Sequence, residues 1–148
     1  MAETNEQDLW PGNFGPADEV SPMGILREQA ALLASKTNKL VRAEVEDTTK
    51  HYDGDAFGPK LSARFVLVAP ALGGYRYILF RISYPVVLYP VGVYDSPVGG
   101  FEAPSPAEFR SRLAEILRTP ETQRIISSLM SESMARGRGM TASPQVIR

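Results

Sequence analysis

Three consecutive segments, LSARFVLVAP (61–70), YRYILFRISY (75–84) and VVLYPVGVY (86–94), decide the fold. Each alternates and is rich in Val, Ile, Phe and Tyr, the side chains that fit a pleated surface. In the middle segment Ile78, Phe80 and Ile82 share one face, while Tyr75, Tyr77, Leu79, Arg81 and Ser83 share the other. A four-residue connection at 71–74 sets Phe65 opposite Phe80, Leu67 opposite Ile78 and Ala63 opposite Ile82, all on a core face. Slipping by one residue would bring Arg64 into that face. A turn at Tyr84–Pro85 sets Ile82, Phe80 and Ile78 against Val87, Tyr89 and Val91, so the two turns agree. Pro85 then has to be cis or part of a looser connection.

Upstream, Leu40 to Thr48 alternates Val41, Ala43 and Val45 against Leu40, Arg42, Glu44 and Glu46, a strand with one buried face. Before it, Ser21-Pro22 opens a helix with a capping hydroxyl followed by Pro at the first helical position. Val20 and Ile25 are spaced as a hydrophobic staple. Met23, Leu26, Ala30 and Leu33 form the apolar stripe, widened by Ile25 and Leu32, and the pattern ends at Thr37-Asn38.

Downstream, Asp95 to Pro104 reads as a glycine-rich loop. Ser105-Pro106-Ala107-Glu108 is a capping box, followed by a stripe of Phe109, Leu113, Ile116 and Leu117. Thr119-Pro120-Glu121 repeats the device ahead of Ile125, Ile126, Leu129 and Met130. The glycines in Arg136-Gly137-Arg138-Gly139 are expected to end that helix. The fold class is therefore α+β: a four-stranded antiparallel meander with one N-terminal and two C-terminal helices, in the order α-β-β-β-β-α-α. One domain is expected over residues 20–134, between an acidic flexible segment, 1–19, and a basic flexible tail, 135–148. The acidic segment contains Trp10 and Phe14, to be read as a strap over the domain or a docking motif for another protein.

Composition narrows the chemistry. The 148 residues include no Cys, which removes thiol nucleophiles, disulfides and thiolate metal sites together. A formal charge of -1 gives no global pull toward nucleic acid or anionic membrane. The first sixteen residues have neither a basic nor an apolar leader pattern, and no apolar run approaches the roughly eighteen residues of a membrane helix, so a cytoplasmic protein is expected. His51, Asp53 and Asp55 lack the further ligands of a calcium loop, and a single His provides no transition-metal set. Gly73-Gly74 and Gly99-Gly100 match no phosphate-cradling pattern. No cofactor is expected.

The outer face of the sheet carries the functional expectation. On the register above it holds Val66, Val68, Tyr75, Tyr77, Leu79 and Leu88 toward one end, with Arg42, Glu44, Glu46, Arg64 and Arg81 toward the other. An apolar patch of that extent calls for a cover, either a helix, the Trp10 segment, or a partner. The reading is a non-catalytic module that binds a protein partner, or a second copy of itself, through Tyr75, Tyr77, Leu79, Arg81, Arg64, Val66 and Val68. Two alternatives stand beside it. Sheet aromatics flanked by Arg64 and Arg81 could stack unpaired bases, making a nucleic-acid-binding accessory protein. Glu44 and Glu46, which project on one side of a strand, could serve a small hydrolase. Facing arginines at 64 and 81 need compensation, which Glu44 and Glu46 can supply.

Overall fold

The computed structural model describes residues 7–15, 20–49 and 60–142, with backbone only for 138–142. Helix α1 (Pro22–Lys36) precedes strands β1 (Arg42–Asp47) and β2 (Lys60–Ala69). A single 3-10 turn, Pro70–Leu72, leads to β3 (Tyr75–Pro85), β4 (Val91–Tyr94) and β5 (Phe101–Ala103). Helices α2 (Pro106–Leu117) and α3 (Pro120–Ala142) close the described chain. The sheet is an antiparallel meander in the order β1-β2-β3-β4-β5. The α+β class and the three helices are as expected, but the sheet has five strands where four were expected. The fifth, β5, is three residues inside the supposed loop, too short for alternation to show.

The helix boundaries follow from their caps. Ser21 Oγ accepts the Gly24 N–H at 3.0 Å, and Ser105 Oγ accepts that of Glu108 at 3.2 Å. Thr119 Oγ1 accepts the Thr122 N–H at 3.1 Å, while the buried Thr122 hydroxyl donates to the Ile116 carbonyl at 2.8 Å. That pair of threonines satisfies the end of α2 and the start of α3 at one corner. At the other end of α1, Asn38 and Lys39 both take positive φ, 52° and 66°, turning the chain sharply into β1. The buried Thr37 hydroxyl donates to the Val41 carbonyl at 2.7 Å and accepts the Val41 N–H at 3.2 Å, fastening helix to strand. Helix α3 runs on through the Arg136–Gly139 stretch that was expected to stop it. A glycine inside a helix costs only about 1 kcal/mol relative to Ala, and Arg136 gains an ion pair with Glu132 one turn back.

The register holds at one end of the central hairpin and fails at the other. Ala63 pairs with Ile82 and Phe65 with Phe80, whose rings stack at 5.2 Å. Between Phe65 and Val66 a β-bulge intervenes, so Val66 pairs with Ile78, Leu67 with Tyr77 and Val68 with Arg76. Leu79 is the extra residue. A bulge places two successive side chains on one side, and Leu79 and Phe80 both belong to the core, 2% and 0% exposed. Everything in β3 before the bulge therefore exchanges faces. Tyr75, Tyr77 and Leu79 lie on the helix-facing side, and Arg76 and Ile78 lie on the outer side.

The next connection also differs from expectation. β3 continues through Pro85, the turn spans residues 86–90, and β4 begins only at Val91, with Ile82 opposite Val93. Pro85 keeps a trans peptide, the Leu88 N–H donates to its carbonyl at 2.8 Å, and the cis bond falls at Tyr89–Pro90. Pro85 and Pro90 each lack an N–H for a ladder, so alternation between them cannot become paired strand. Val86 and Val87 consequently stand exposed at the tip, not in the core.

All three helices contribute to one core on the inner face of the sheet. Ile25 and Leu26 of α1, Phe109, Leu113 and Ile116 of α2, and Leu129 of α3 meet Ala63, Phe65, Leu67, Phe80, Ile82, Val91 and Val93. Val66 and Val68 are buried too, yet they stand apart from this cluster, on the outer side.

Candidate functional site

The two sides of the sheet offer two different surfaces. On the outer side three cross-strand rows run over β1, β2 and β3: Arg42–Val68–Arg76, Glu44–Val66–Ile78 and Glu46–Arg64–Arg81. Arg76 reaches from β3 across β2 to both glutamates of β1, bonding Glu44 at 2.9 Å and also pairing with Glu46. Arg42 holds Glu44 at 3.2 Å, and Arg64 holds Glu46. To make that crossing the Arg76 stem must lie over β2, and it roofs Val66, which is 1% exposed. An arginine–glutamate lattice therefore crosses the face on which Val66 and Val68 are buried. The expected strap does not form: Trp10 and Phe14 are 73% and 76% exposed.

Placed against this lattice, the expected site residues separate into two groups. Arg64, Arg81, Val66 and Val68 do lie on the outer face, but Tyr75, Tyr77 and Leu79 do not. Arg64 and Arg81 face each other as expected and are compensated separately, Arg64 by Glu46 and Arg81 by Asp95 at 3.1 Å. Glu44 instead serves Arg76 and Arg42. The hydrogen bond from Arg76 is the chief reason the Glu44 carboxyl is held below its ordinary range, with the charges of Arg76 and Arg42 adding to it. Both carboxylates are engaged by arginines, Glu44 by Arg76 and Arg42 and Glu46 by Arg64 and Arg76. His51, Asp53 and Asp55 lie outside the described residues. Among the described residues no three His, Asp or Glu side chains come close enough to hold a metal ion.

The inner side contains a surface that residue patterns did not reveal. Between α1 and α2, over the middle of the sheet, lies a crevice of about 430 Å³. Its floor is Phe65, Leu67 and Leu79, and its walls are Ile25 and Leu33 of α1, Leu113 and Leu117 of α2, and Ile126 of α3. Leu79 reaches the floor only because of the bulge. Gln29, Lys36, Arg110 and Arg118 form the rim. Arg110 is tied to Glu28 at 2.9 Å, whereas the Lys36 and Arg118 side chains make no ion pair among the described residues. Leu32, 47% exposed, stands at the mouth. Its place in the widened stripe of α1 was the one trace of this feature in the sequence: an extra apolar residue on a helix face that the neighbouring helix does not fully cover. Lys36 and Arg118 have an ordinary reason to be there as well, because cations suit helix C-termini.

No protein-family model matches the chain, and neither the curated proteins nor the solved structures contain a significant match. Among the described residues no helix is long and apolar enough to cross a membrane.

Proposed function

We propose that this protein is a non-catalytic interaction module, and that it binds by taking an acidic segment with large apolar side chains into the crevice between α1 and α2. One observation carries this reading: an apolar floor of Phe65, Leu67 and Leu79 lies beneath a rim with two uncommitted cations, Lys36 and Arg118. Apolar side chains entering the crevice would gain burial, while carboxylates beside them would meet the rim. The outer face offers less to a partner, since Arg42, Arg64, Arg76 and Arg81 each already hold a carboxylate. The same pairing weighs against a nucleic-acid platform there, which needs cations free for phosphates.

The test is site-specific photocrosslinking from position 32 at the mouth, in the cells that make the protein. A protein adduct that is lost in the double variant Lys36→Glu, Arg118→Glu supports the reading. An adduct indifferent to the charge reversal, or one obtained only from a photoprobe at position 78 on the outer face, overturns it.

A further inference from the structure

The N-terminal segment has the chemistry that the crevice selects. Residues 1–19 hold Glu3, Glu6, Asp8, Asp18 and Glu19 with no Lys or Arg. At their centre Trp10 and Phe14 meet edge to face at 5.8 Å, and Leu9, beside them, is 90% exposed. An apolar pair set among carboxylates and an apolar crevice under free cations are complementary surfaces of one chain. The pair does not sit in its own crevice here; both rings stand in solvent.

We propose that the occupant of the crevice is the Trp10–Phe14 arm of a second copy of this chain, giving an arm-exchanged dimer. This rests on the reading of the crevice given above and names its partner. Two arms and two crevices related by a two-fold axis close on themselves, with every site filled and no site left to propagate. Carboxylates flanking the arm approach Lys36 and Arg118 of the receiving copy. Each buried aromatic ring removes roughly 150 to 250 Å² from water, so four rings supply about 600 to 1,000 Å², and only with the crevice walls they cover does the total reach the lower bound for a specific interface, about 1,200 Å². The dimer is accordingly a weak, reversible one, in the micromolar range, and its affinity falls as salt screens the rim. A foreign partner with a similar acidic, aromatic segment would have to compete with it.

Sedimentation velocity on the full chain, over a concentration series at low and moderate salt, gives the first reading, and Trp10 fluorescence gives the second because it is the sole tryptophan. Expected is a monomer–dimer equilibrium in which dimerisation shifts Trp10 emission to the blue and shields it from iodide. The arm variant Trp10→Ala, Phe14→Ala and the rim variant Lys36→Glu, Arg118→Glu should each be monomeric. Mixed together they can make one of the two contacts, because the rim variant still brings an intact arm and the arm variant an intact crevice, so any mixed dimer should be much weaker than that of the wild type. Both substitutions are at exposed positions, so circular dichroism should show each folded as the wild type is. A chain monomeric at every concentration overturns the proposal, whether Trp10 is shielded (an arm folded into its own crevice) or exposed. A dimer that survives the rim variant, or one that survives the arm variant, also overturns it. If the dimer is absent while the position-32 adduct persists and remains rim-dependent, only the identity of the occupant falls and the crevice reading stands.

Discussion

The outer and inner faces of this sheet bury their apolar residues by opposite means. On the inner face three helices exclude water from Phe65, Leu67, Phe80 and Ile82 with other apolar side chains. On the outer face, where Val66 and Val68 are buried, the Arg76 side chain crosses β2 and its guanidinium is held in place by Glu44 and Glu46. A long charged side chain anchored at both ends thus does over two valines what a helix does elsewhere. The lesson is that a buried residue on a sheet is no evidence of a second layer: a roof one side chain thick suffices when the strand order brings counter-charges to the far side. It also explains why an outer face with valines in its middle need not be a binding surface, while the closed-looking inner face leaves a crevice between α1 and α2.

The contrast is broken most sharply at neighbouring positions. Leu79→Ala should cost about 2 to 5 kcal/mol, the range for truncating a fully buried aliphatic, whereas Ile78→Ala should cost less than about 1 kcal/mol. Urea unfolding of the two variants measures the difference, and equal losses would mean that the bulge does not separate their faces. Arg76→Ala is expected to be intermediate, about 1 to 2 kcal/mol, since it removes modest surface ion pairs and also uncovers Val66. Arg76→Met should recover most of that if the stem matters more than the charge, and recovery of none would assign the effect to the ion pairs. The smallest expected effect is on acidification. Glu44 has its folded-state value depressed below the ordinary 4.5, so its contribution is present above about pH 4.5 and is lost as the pH falls through the lowered value. The melting temperature of the wild type should therefore decline more steeply between about pH 5 and pH 3 than that of Glu44→Gln. Parallel curves would show that the lattice contributes nothing through this carboxylate.

How far the fold was legible depends on the kind of signal. Capping residues are local, and Ser21-Pro22, Ser105-Pro106 and Thr119-Pro120 each marked a helix start that the structure keeps. Strand register is not local. Phe65 opposite Phe80 follows from alternation alone, but the bulge at Leu79 depends on what packs beneath it, and it moved Tyr75 and Tyr77 away from the face assigned to them. The 86–94 segment failed for a different reason. Its valines alternate as a strand's would, yet Pro85 and Pro90 withhold the hydrogen bonds that pairing needs. Of the crevice only Leu32, in the widened stripe of α1, left a trace, because a gap between two helices is set by how the elements meet and not by any one of them. Compensation of Arg64 was legible in Glu46, but Asp95, in a loop, was invisible as the partner of Arg81.

The corner after α1 carries a consequence for engineering. Asn38 and Lys39 both occupy left-handed backbone, at φ 52° and 66°; Asn tolerates that region and Lys does not. The Thr37 clasp to Val41, which flanks them on both sides, holds Lys39 in its unfavourable geometry. Stability is thus left unclaimed at one exposed position. A glycine there would release the strain at some cost in chain entropy, for a net gain of about 0.5 to 1 kcal/mol. The native chain therefore stops short of the stability its own architecture permits, at a corner between Lys36 of the crevice rim and Arg42 of the lattice.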